Sequence, residues 1–94
     1  MKTKISLSGD KEDLIAVMNG YELLNEAKVS GGIEYSFILP KASVTHTMFT
    51  ANSLTKRVIE KFGPRRVGAT YLTNIDGKTV FVVILGTNLV VVKG

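Results

Sequence analysis

Ninety-four residues with 45% hydrophobic and 21% charged side chains have the composition of one ordinary globular domain, which excludes a disordered or low-complexity chain and leaves no room for two independent cores. The chain has no cysteine, so disulfides, thiolate metal sites and a cysteine nucleophile are excluded, and packing alone must hold the fold. Its net charge of +4 is unevenly spread, with six acids against four lysines in residues 1–34 and eight bases against two acids in residues 35–94. The second half is therefore the side suited to a polyanionic partner, although a modest net charge also serves solubility.

Two lysines stand near the N-terminus, but no long apolar run follows them as a signal peptide would require. The longest apolar run, Val80 to Leu85, is far too short to cross a membrane as a helix, so the expectation is a cytoplasmic protein without a membrane partner.

Residues 3–7 alternate and predict a short first strand, ended by Gly9-Asp10. Asp10 then reads as an N-cap with Asp13 at the acidic third position, and Leu14, Val17, Met18 and Tyr21 follow at helical spacing. Over residues 11–27 two readings compete. Asn19-Gly20 stops the helix and a strand runs from Tyr21 to Ser30, or the stripe continues through Leu24 and the helix runs to Ala27. The stop is favoured, because Gly31-Gly32 then turns the chain into a second arm, Ile33 to Leu39, whose Ile33, Tyr35, Phe37 and Leu39 share one face.

Pro40 closes that arm. Residues 43–50 fit a strand by their β-branched content, or a backward extension of the next helix by the spacing of Val44, Met48 and Ala51. A helix is predicted from about Ser53, capped by Asn52 or Ser53. Leu54, Val58, Ile59 and Phe62 point inward, and Lys56, Arg57, Glu60 and Lys61 point outward. Gly63-Pro64 ends it.

The remainder predicts a three-strand meander of Val67–Thr73, Lys78–Leu85 and Leu89–Lys93, with Asp76-Gly77 supplying the positive-φ residues of a tight hairpin. Its middle strand is apolar on both faces, with Val80, Val82 and Ile84 on one side and Phe81, Val83 and Leu85 on the other, so both faces must be covered. The fold expectation is a single α+β domain, with a largely antiparallel sheet of five or six strands and two helices on one face. A second copy packed on the C-terminal sheet would cover the other face.

Chemistry-bearing residues are sparse. His46 is the only histidine, and no acid lies between Glu34 and Glu60 to orient it as a base, so it reads as a surface residue. Asp10, Glu12 and Asp13 read as helix-start charges and not as metal ligands. Neither Ser30-Gly31-Gly32 nor Gly86-Thr87-Asn88 stands between a strand and a helix, as a phosphate-binding loop would. No enzyme, metal or cofactor is expected.

The remaining candidate is a basic group of Lys56, Arg57 and Lys61 on the second helix, followed by Arg65 and Arg66 beyond its stop. Such cations bind phosphate oxygens, which suggests nucleic acid bound with little sequence preference. Two features temper this: Lys56 and Glu60 stand at i, i+4 as an ordinary ion pair, and the aromatics that might stack on bases, Tyr35, Phe49 and Tyr71, lie far off in sequence. The rival reading is a self-assembling protein that binds no nucleic acid.

Overall fold

The computed structural model describes residues 7–86, and in them two helices and four strands. In chain order these are α1 (Leu7–Val17), β1 (Glu22–Val29), β2 (Gly32–Ile38), α2 (Val44–Phe62), β3 (Val67–Ile75) and β4 (Lys78–Gly86). The four strands form one antiparallel sheet in the order β1-β2-β4-β3. The α+β class is as expected, with four strands among the described residues where five or six were anticipated.

The helix stops and turns follow from glycine. Gly63, directly after α2, has a φ of 93°, and Gly20, which follows Asn19 (φ 58°) in the turn after α1, has a φ of 90°, a region that residues bearing a β-carbon resist. The favoured stop at Asn19-Gly20 is therefore the one the chain uses, and β1 follows it. Two-residue turns close both hairpins, at Ser30-Gly31 and at Asp76-Gly77. The order helix, glycine stop, bulged strand, tight turn, strand thus occurs twice, although no repeat is visible in the residues. The two units meet where β2 and β4 pair, with Tyr35 opposite Val83 at the centre.

Three expectations change. Leu7 begins α1, so Gly9 and Asp10 lie inside a helix instead of ending a strand, and Asp10 caps nothing; residues 3–6 lie outside the described residues. Residues 44–50 are helical, because Ser43 caps α2 with its Oγ accepting the His46 N–H at 3.1 Å, and Ala51, Leu54 and Val58 then continue one inward stripe. A cap at residue 52 or 53 is thereby ruled out. Third, β4 has β2 on one side and β3 on the other. The place beside β4 expected for a third meander arm is thus taken by β2; the arm expected at residues 89–93 lies outside the described residues.

Both helices cover one face of the sheet. Leu14 from α1, Met18 just after it, and Ala51, Leu54 and Val58 from α2 pack on Tyr35, Phe37, Phe81, Val83 and Leu85. The shared face expected for Ile33, Tyr35, Phe37 and Leu39 is the face they occupy, with Phe37 opposite Phe81 and Ile33 opposite Leu85. On the other face Val80 and Val82 are also fully buried within one chain. The Tyr71 side chain accounts for part of this. From β3 it spans β4, and its hydroxyl donates to Glu34 Oε2 on β2 at 2.9 Å. The centre of that face is therefore covered without a second copy.

Candidate polyanion-binding surface

The helical period decides which cations reach solvent. With Ala51, Leu54 and Val58 buried against the sheet, Lys56, Arg57, Glu60 and Lys61 fall on the outward arc of α2, and all four are exposed. Phe62 is half-buried and packs against the core, as its spacing predicts, and Ile59 is half-buried. Arg57 and Lys61 are one turn apart on one edge of that arc, and Lys56 lies about 100° round from Arg57. From Lys56 to Lys61 the helix rises roughly 7 to 8 Å.

Among the described residues no carboxylate neutralises these charges. Among the described residues the ion pairs are Lys11–Glu26 and Arg66–Asp10, so the i, i+4 pair expected between Lys56 and Glu60 does not form. Arg65 is exposed just beyond the helix stop.

Arg66 is different. Its guanidinium turns inward and holds Asp10 in a fork, Nη2 to Oδ2 at 2.6 Å and Nη1 to Oδ1 at 3.4 Å, while Nε and Nη2 also donate to the Gly86 carbonyl at 3.2 and 3.1 Å. It also lies over the Phe62 ring, 5.8 Å from the centroid. Held by Asp10, the Gly86 carbonyl and the Phe62 ring, Arg66 is partly buried and has a structural role, whereas Lys56, Arg57, Lys61 and Arg65 are exposed.

The early start of α2 adds what sequence spacing alone had left distant. Phe49 stands two turns before Lys56 on the same stripe and is 73% exposed, with Val44 and Met48 also open at 75% and 54%. An aromatic ring thus sits about 10 Å along the helix axis from the first cation. The observed signal for this was the Val44, Met48, Ala51 spacing. Between α2 and β3 lies a shallow groove of about 180 Å³, with Met48, Asn52 and Thr55 on one side, Thr70 and Leu72 on the other, and Phe81 at its base. Thr55 and Thr70 bridge it through their hydroxyls at 2.9 Å.

Other chemistry is thin. The His46 side chain is exposed beside the Ser43 cap. Of the acids near α1, Asp10 is taken by Arg66 and Glu12 and Asp13 face solvent; no group of three or more His, Cys, Asp or Glu able to hold a metal gathers among the described residues. Burial raises the Tyr35 hydroxyl pKa, with Glu26 and Asp10 adding to the effect and Arg66 opposing it. Its hydrogen bond to Glu34 raises that of Tyr71. No described helix is long and apolar enough to cross a membrane. No protein-family model, curated protein or solved structure matches the chain.

Proposed function

We propose that this protein binds nucleic acid, weakly and with little sequence preference, through the outward face of α2. The observation that carries the reading is the set of Lys56, Arg57, Lys61 and Arg65, exposed and without carboxylate partners among the described residues. Lys56 to Lys61 spans about two phosphate steps of one strand of a duplex, so neighbouring phosphates can be neutralised together. Phe49 offers a ring face to an unpaired base. Point charges and a ring face are indifferent to base identity, which is why little sequence preference is expected.

The test is fluorescence anisotropy of labelled single-stranded and duplex oligonucleotides with wild type and a Lys56→Ala, Arg57→Ala, Lys61→Ala variant. The variant should bind at least about tenfold more weakly at low salt. Equal binding by the variant removes this surface from the account. A second reading, self-assembly without nucleic acid, draws on a different surface, the edge strand β3, which carries no charge in its nine residues.

A further inference from the structure

Asn52 stands where the apolar and basic parts of α2 meet. Its neighbours one turn away are Met48 and Phe49 on one side and Thr55 and Lys56 on the other, so an apolar pair, a hydroxyl and a cation surround one exposed amide. Asparagine is among the weaker helix formers, and among the described residues the Asn52 side chain has no hydrogen-bond partner to offset this. The amide forms one wall of the groove between α2 and β3, with Phe81 at the base and Leu72 beside it. Thr55 and Thr70 share one hydroxyl hydrogen bond across that groove, which uses only one of their two protons, so the pair keeps a donor and further acceptor capacity. At about 180 Å³ the groove falls short of the roughly 300 to 1,000 Å³ of a drug-sized ligand site and suits one flat ring.

We infer that this groove receives one unpaired base of a single-stranded nucleic acid whose phosphate lies on Lys56. The inference rests on the reading of α2 as a phosphate-binding face. Charge is the first observation that selects this occupant. Lys56 is exposed, has no carboxylate partner among the described residues, and has its β-carbon about 5 to 6 Å from that of Asn52, so an anion held there brings its attached group to the mouth of the groove. The lining is the second. A planar ring with polar edges meets both the apolar base of the groove and its amide and hydroxyl walls, whereas an acyl chain would leave Asn52 and the two threonines without partners, and a sugar would leave Met48, Leu72 and Phe81 without apolar contact. In a duplex the base edges are already paired, so the groove favours a single strand. The amide offers both a donor and an acceptor, and every base has an edge that meets one of them. The groove therefore adds a preference for unpaired bases without a preference among them.

The test compares two labelled DNA probes of equal charge on the full chain by fluorescence anisotropy, a short single strand of mixed sequence and the same backbone with abasic sites throughout. Wild type should bind the base-bearing strand about tenfold or more tightly than the abasic one. Asn52→Leu, which keeps the bulk of the side chain but neither polar group, should cut that ratio by about three- to tenfold, the worth of one or two neutral hydrogen bonds. Asn52→Ala, which adds no bulk at this exposed position, should do the same, and both variants should keep the wild-type far-UV circular dichroism. Salt-sensitive binding of both strands with a ratio near one removes the groove from the account and leaves the phosphate-binding face standing. A ratio as large in both variants as in wild type also overturns the proposal and assigns the base to the Phe49 ring. Absence of binding to either strand at low salt removes the phosphate-binding face and the groove together.

Discussion

Arg66 and Asp10, 56 positions apart in the chain, are joined by a two-pronged ion pair that ties α1 to the segment entering β3. Both side chains are mostly buried, at 25% and 16% exposure, and the same guanidinium holds the Gly86 carbonyl at the end of β4. One arginine thereby fastens the first helix–hairpin unit to both ends of the second hairpin. Arg66→Ala leaves a carboxylate and a carbonyl without their donor, and should cost about 2 to 3 kcal/mol in urea unfolding. Arg66→Lys should recover only part of this, since a single ammonium cannot reproduce the fork. Neither change should alter the salt dependence of oligonucleotide binding.

Gly32 is the most restrictive position in the sheet. A Cβ there would overlap the Leu85 carbonyl oxygen, which belongs to the β4 backbone and cannot swing aside. Gly32→Ala should therefore destabilise by roughly 1 to 3 kcal/mol or more through forced separation of β2 and β4. Gly31→Ala meets no atom within 4 Å and suffers only from its φ of 80°, at a cost of about 1 to 2 kcal/mol. Chemical denaturation of the two variants should rank them in that order.

Tyr35 sets a limit at high pH. Burial favours its neutral hydroxyl, so its folded pKa lies above its unfolded value of about 10. The stability that this contributes is fully present below the unfolded pKa and is lost as pH rises through the folded one. Unfolding free energy should fall above about pH 10, and Tyr35→Phe should show a shallower fall over the same window. An ultraviolet titration of wild type should show tyrosines ionising above the ordinary range.

Phe49 separates packing from binding. Exposed as it is, Phe49→Ala should change stability by no more than about 0.5 kcal/mol. If the ring stacks on unpaired bases, the same change should weaken single-strand binding by about 1 to 3 kcal/mol and leave duplex binding nearly unaltered. Equal effects on both forms would mean that the ring does not stack.

The features legible in the residues are the local ones. Gly20, Gly63 and Asp76-Gly77 announced the helix stops and the second turn, since positive φ is a property of a single residue and its neighbours. The outward arc of Lys56, Arg57 and Lys61 followed from the spacing of Leu54 and Val58. Non-local pairings were hidden. Nothing within ten residues of Asp10 or Arg66 indicates that each is the other's partner, so from local spacing alone one reads as a cap and the other as a phosphate contact. Likewise the β2–β4 pairing joins strands more than forty residues apart, and without it β4 reads as the middle of a meander. The start of α2 was obscured by β-branched residues, whose small helix penalty is outweighed by the Ser43 cap and the continuous buried stripe.

The central claim is that exposed cations of α2 and its stop neutralise phosphates, and the salt dependence of binding measures this directly. Each neutralised phosphate contributes about −0.9 to the slope of log K against log salt on duplex DNA, so three to four contacts predict a slope of roughly −3 to −4. Replacing Lys56, Arg57 and Lys61 together with alanine should reduce its magnitude by about 2 to 3, while Arg66→Ala leaves it unchanged. Absence of binding at low salt, or a slope that is the same in the triple variant and in wild type, would contradict the account.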